Sequence, residues 1–161
     1  MQNKKVLFLT QAAMIAALYV VLTFLANALG LASGPIQVRL SEMLTILPYF
    51  TSAAIPGVAI GCLLSNILTG CTVFDIVFGT FATLLGAFGS YLLRKHKFLV
   101  PLPPILANTI IVPWVLRISY GVPDAIPYLM LTVGIGEVIA CGIFGLVLLF
   151  ALNKYKHILF Q

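Results

Sequence analysis

From Ile126 to Leu152 the chain carries one charged side chain, Glu137, in an otherwise apolar run. Roughly 20 such residues are enough for a helix to cross a bilayer. Within lipid, only helices and closed barrels satisfy their own backbone polar groups. Comparable runs extend from about Val6 to Leu31, from Met43 to Leu68, from Phe74 to Leu93, and from the prolines of "PLPP" to Leu116. Only 8% of residues are charged and 61% are hydrophobic, against about 25% charged in soluble domains. A soluble globule this small leaves too much surface wet to hide that much apolar material. The expectation is an all-α membrane protein, one transmembrane domain over residues 1–161, with no second soluble domain. No detachable signal peptide is expected, because the first apolar run after Lys4 and Lys5 is long and lacks a convincing cleavage site.

Charge decides the number of spans. Lys/Arg concentrate on the cytoplasmic side of membrane helices. That rule places Lys4 and Lys5, the cluster Arg94, Lys95 and Lys97, and the pair Lys154 and Lys156 inside. An even number of spans must then separate the N-terminus from "RKHK". Read as one helix, Met43–Leu68 gives three. Read as two short helices turning near Ala53 to Pro56, where proline disfavours helix at the residue before it, it gives four. Two more lead to the C-terminus. The consistent architecture is a compact bundle of six transmembrane helices with both termini cytoplasmic. Arg39, Arg117, Glu42, Asp75 and Asp124 then fall at the outer face, in or beside the loops "ASGPIQVRLSEM" and "RISYGVPDAIP".

Several function classes are excluded. The positive net charge tracks helix ends and forms no basic stripe with interleaved aromatics, so nucleic-acid binding is not indicated. Cys62, Cys71 and Cys141 form no CxxC pair, so no metal site or disulfide framework is expected. No Ser/His/Asp set, HExxH or GxxxxGK[ST] occurs. The chain reads as a non-enzyme without cofactor, and any ATP-driven step must come from another subunit.

Glu137 is the leading candidate for a ligand site. A carboxylate at mid-bilayer costs at least ~2.5 kcal/mol, so it needs an aqueous cavity or a partner. It could also be a protonated Glu bonded to a neighbouring helix; the reading preferred here is that it faces a ligand cavity. Counting from the outer ends of two adjacent antiparallel spans, Glu137 lies roughly 16 Å deep and Asn108 roughly 13 Å deep, so the two can meet at one level. Asn108 is either a ligand contact or an interhelical hydrogen bond. Above them, Trp114 either stacks on a flat ligand or anchors the helix at the interface. Glu42 and Asp75 lie near helix N-termini, where the dipole favours a carboxylate; with Glu137 they would also line an external opening suited to a cationic ligand. Arg39 either touches the ligand or pairs with Glu42. Asn66 and Tyr49 are weaker candidates.

Small residues recur at helical spacing: Gly57, Gly61 and Ser65; Gly86 and Ser90; Gly136 and Ala140. Such spacing lets helix backbones approach closely. In the first span, Ala12 and Ala16 make one stripe, with Ala13 and Ala17 beside it. A smooth stripe of this kind serves either internal packing or docking of a partner.

The runs "IQVRLSEMLTILPYF" and "GCLLSNILTGCTVFDIVFGTFATLLGA", with the alanine stripe, resemble the substrate-binding S components of energy-coupling factor (ECF) transporters, most of all the QueT group. The resemblance spans essentially the whole chain. It implies capture, from outside the bacterial plasma membrane, of a queuosine precursor such as 7-aminomethyl-7-deazaguanine. It also implies a pocket among the fourth to sixth helices, capped by the loops after the first, third and fifth. A transmembrane coupling subunit would dock on Ala12 and Ala16, or on Ala13 and Ala17, and two ATPases would drive transport. In such a pocket Glu137 would accept from the ring N1–H and exocyclic amine. Asp75 or Glu42 would meet the ammonium, Asn108 would read the remaining ring atoms and Trp114 would stack. Alternatives are an S component for another vitamin or nucleobase, and a stand-alone channel or carrier.

Overall fold

A computed structural model describes residues 3–34 and 36–160; Pro35, in the first outer loop of the sequence reading, lies outside them. The described residues are helical, with no strand among them. Helix α1 spans Lys4–Ala28 and is N-capped by the Asn3 side chain. A 3-10 segment follows at Leu40–Tyr49. Then come α2 (Ala54–Leu68), α3 (Val73–Leu92), α4 (Leu102–Ser119), α5 (Ile126–Glu137), α6 (Gly145–Asn153) and the short α7 (Lys156–Leu159). A π-helical stretch, Val138–Phe144, joins α5 to α6 as one continuous rod. Among the described residues, four helical stretches are long and apolar enough to cross a membrane: Lys4–Ala28, Val73–Leu92, Lys97–Ser119 and Ile126–Asn153. Ala54–Leu68 is apolar but shorter.

The stretch Met43–Leu68 is broken, as the charge count requires. Its 3-10 half ends at Tyr49, the chain turns through Thr51–Ala53, and α2 starts just before Pro56. Pro56 fits there because the first turn of a helix has no intrahelical acceptor for its N–H groups. The 3-10 geometry also has a physical use. At about 2.0 Å per residue, against 1.5 Å in an α-helix, ten residues reach ~20 Å.

Helix ends sort into two groups. At one end Gln11 joins Thr51 (2.8 Å) and the Leu159 carbonyl (3.4 Å), close to Tyr49, Arg94, Lys95 and Lys156. At the other end the C-terminus of α1, Arg39, the C-terminus of α2, the start of α3 and the α4–α5 loop surround a cavity. Close approach depends on glycine where α1 crosses α2. A Cβ at Gly57 would lie 2.9 Å from the Ala12 carbonyl oxygen, and one at Gly61 only 2.5 Å from Tyr19 Cβ. The stripe of Ala12 and Ala16 is therefore internal packing, buried against α2. Ala13 and Ala17 face outward. Of the alternatives the sequence left open, internal packing describes Ala12 and Ala16.

Candidate functional site

The cavity encloses about 420 Å³ at the end opposite the Lys/Arg clusters. Asp75 stands on its wall in the first turn of α3, where the Thr72 hydroxyl caps the helix by accepting from the Asp75 N–H at 3.3 Å. The residue is only 4% exposed. Its Oδ2 accepts from the Tyr120 hydroxyl at 2.9 Å. Its Oδ1 has no hydrogen-bond partner among the described residues and lies 3.8 Å from the Arg39 guanidinium. Burial, reinforced by the hydrogen bond to Asp75 and its charge, pushes the Tyr120 phenol up to about 12, so it remains a donor at neutral pH. Tyr120 also accepts from the Thr72 N–H at 3.4 Å, tying the α4–α5 loop to the start of α3. Arg117 closes that loop by donating to the carbonyls of Pro123 (3.3 Å) and Asp124 (2.7 Å).

Asn66 lies on the same wall and donates weakly to the Asp75 carbonyl at 3.4 Å. Arg39 lines the cavity as well, and its ion-pair partner is Asp75, where the sequence offered Glu42. Glu42 sits too deep: it is fully buried on the 3-10 segment. Its Oε1 accepts from the Tyr19 hydroxyl and from Thr83 (2.9 Å), and its Oε2 from Asn108 (3.2 Å).

Glu137 and Asn108 do meet. Asn108 Nδ2 donates to Glu137 Oε2 at 3.1 Å, and the Cys141 thiol donates to the same oxygen at 3.3 Å. Neither residue lines the cavity. Glu137, Glu42 and Cys141 bring one polar atom each within 4.8 Å of one another. Glu137 is buried, its Oε2 accepts from the two neutral donors Asn108 and Cys141, and it stands behind the wall of this cavity instead of on it. Tyr19 connects the two regions, lining the cavity while bonding to Glu42.

Trp114 and Tyr49 lie elsewhere. Trp114 is half exposed in an outward apolar groove with Phe74, Phe78 and Ile110. Tyr49 packs edge-on against Phe50 at the Lys/Arg-rich end. The sequence reading missed Tyr19, Thr83, Tyr120 and Cys141. For Tyr120 a signal existed, an aromatic hydroxyl in a loop with Arg117 and Asp124; Tyr19 had only its place one turn beyond the alanine stripe.

Comparison with known proteins gives the same direction. No solved structure matches the chain. A relative from Lactococcus lactis subsp. cremoris (strain MG1363), named Queuosine precursor transporter QueT, is 39% identical over 85 residues, 53% of this chain and 50% of that protein. The chain thus spans about half the length of that relative. The family model described as QueT transporter matches residues 9–154, nearly the whole chain. A transporter family, and not an enzyme family, claims the sequence: the chain belongs to the QueT transporter family.

Proposed function

We propose that the chain is the substrate-binding S component of an ECF-type importer and captures a queuosine precursor of the 7-aminomethyl-7-deazaguanine kind. In this reading it crosses the bacterial plasma membrane six times, with both termini in the cytoplasm. Its cavity then opens outward, since the Lys/Arg clusters mark the inner side. A separate transmembrane subunit and two ATPases complete the importer, because the chain carries no phosphate-binding loop. The exposed Ala13 and Ala17 are the stripe left for docking.

The observation that carries the reading is the Asp75 carboxylate: buried in the cavity wall, held by Tyr120, with one oxygen that has no hydrogen bond among the described residues and only the 3.8 Å ion pair to Arg39. A buried acceptor left without a donor is costly. The ammonium of an aminomethyl arm fits it, and Arg39 holds the place loosely until a guest arrives. Between the two carboxylates offered by the sequence, Asp75 is preferred over Glu42, whose oxygens already have donors. Asn66 and Tyr120 address the rest of the guest. Glu42, Asn108 and Glu137 act behind the wall by fixing Tyr19.

The test is mass spectrometry of small molecules retained by the purified chain, followed by calorimetric titration. A retained deazapurine with an aminomethyl arm is the expected result. A different vitamin or base would keep the S-component reading and move the ligand. Retention of nothing, with uptake independent of any coupling module, would favour a stand-alone carrier.

A further inference from the structure

At the end of the bundle away from the cavity lies an open cleft of about 600 Å³. Arg94 and Lys95, from the end of α3, face Lys156 and His157 of α7 across it. Its apolar wall is the stacked pair Phe50 and Phe160, with ring centres 5.0 Å apart and planes 9° from parallel. None of the four acidic side chains lies here: Glu42 and Glu137 are in the core, Asp75 is on the cavity, and Asp124 is in the α4–α5 loop. Among the described residues, the cations therefore converge on a concave surface without an acidic side chain to balance them.

The depth of the cleft in the membrane is marked by its neighbours. Phe98 is 73% exposed and Ile158 is 76% exposed, on the segments that supply the cations. Bulky apolar side chains left that open beside Lys and Arg belong at the boundary between hydrocarbon and headgroups, where basic pockets between helices hold anionic headgroups. We propose that this cleft binds the headgroup of an anionic phospholipid, its phosphate between Lys95 and Lys156 and its glycerol against Phe50 and Phe160. The site depends on neither the cavity nor the guest inside it. A free phosphate would use the same cations but would gain nothing from the exposed apolar rim.

The full-length chain, purified in detergent, is offered equimolar phosphatidylglycerol and phosphatidylcholine, and bound lipid is read by native mass spectrometry. Phosphatidylglycerol is expected to be retained preferentially. The double substitution Lys95→Gln/Lys156→Gln is expected to weaken that preference about 25-fold, roughly fivefold for each charge. Lys4→Gln/Lys5→Gln removes equal charge outside the cleft and is expected to leave the preference in place. Equal retention of the two lipids, or an equal loss in both double variants, overturns the proposal. So does full competition by glycerol phosphate, which would mark a site for free phosphate. If the cleft variant does not fold, amine-reactive labelling of the unaltered chain decides. Lys95 and Lys156 are expected to be shielded in phosphatidylglycerol nanodiscs and not in phosphatidylcholine ones; equal labelling in both rules the site out.

Discussion

Asn108 donates one amide nitrogen to Glu137 across 3.1 Å, and the same nitrogen reaches Glu42 at 3.2 Å. An Asn –NH2 has two hydrogens, so one side chain on α4 bridges a carboxyl on α5 and another on the 3-10 segment. Asn108→Leu would keep the approximate volume and remove both donors. The expected cost is about 2–3 kcal/mol, the penalty for buried acceptors that lose their partner. It would be read as a lower thermal midpoint in detergent, and a midpoint equal to the wild type would show that the bridge contributes nothing.

Glu137→Gln should behave in the opposite way. Like charges brought within 4.8 Å in a buried site oppose each other. The amide keeps an acceptor for Asn108 and Cys141 and removes one of the two acidic groups. Stability equal to or above the wild type is expected, with ligand affinity changed by less than about threefold, since Glu137 is not on the cavity wall. A loss of affinity above tenfold would return Glu137 to the binding site.

Asp75→Asn separates the charge of the cavity wall from its shape. The asparagine can still accept from Tyr120, but it cannot pair with an ammonium. A charge-assisted hydrogen bond is worth ~1.5–3 kcal/mol, so titration with 7-aminomethyl-7-deazaguanine should show affinity lower by roughly 10- to 100-fold. A neutral analogue without the aminomethyl arm should bind both proteins alike. Parallel losses for the two ligands would mean that Asp75 holds the wall and does not read the guest's charge.

The meeting of Asn108 and Glu137 was legible because α4 and α5 are consecutive, antiparallel and α-helical, so a fixed rise per residue sets their level. The same arithmetic had no starting level for Glu42. It does lie in the first turn of its segment, where the sequence put it. The segment, however, begins inside the bundle, where the Gln37 backbone packs against Gly136 of α5, and there Asn108 reaches Glu42. The break between Tyr49 and Ala54 was legible from charge topology rather than from propensity. Trp114 was not: an aromatic in the outer part of a span suits either a cavity or lipid. Which one it meets depends on how α4 is rotated against α3, a consequence of packing that periodicity does not contain. The two alanine stripes posed the same ambiguity, and Gly57 and Gly61, more than forty residues away in sequence, resolve it.

Those stripes yield the last prediction. Ala16 packs where α1 meets α2: its carbonyl oxygen lies 3.0 Å from where a Cβ at Gly61 would stand, and its side chain is buried. Ala16→Leu must push the two backbones apart, and overpacking of this kind costs about 1–3 kcal/mol. Ala17, one residue on, points outward, so Ala17→Leu should leave both the thermal midpoint and ligand affinity of the isolated chain unchanged. If Ala13 and Ala17 are the face that meets a coupling subunit, the same substitution should still abolish co-purification with that subunit and ligand uptake in whole cells. Uptake at the wild-type level in Ala17→Leu and Ala13→Leu would exclude this face of α1 from docking, whatever the fate of Ala16→Leu.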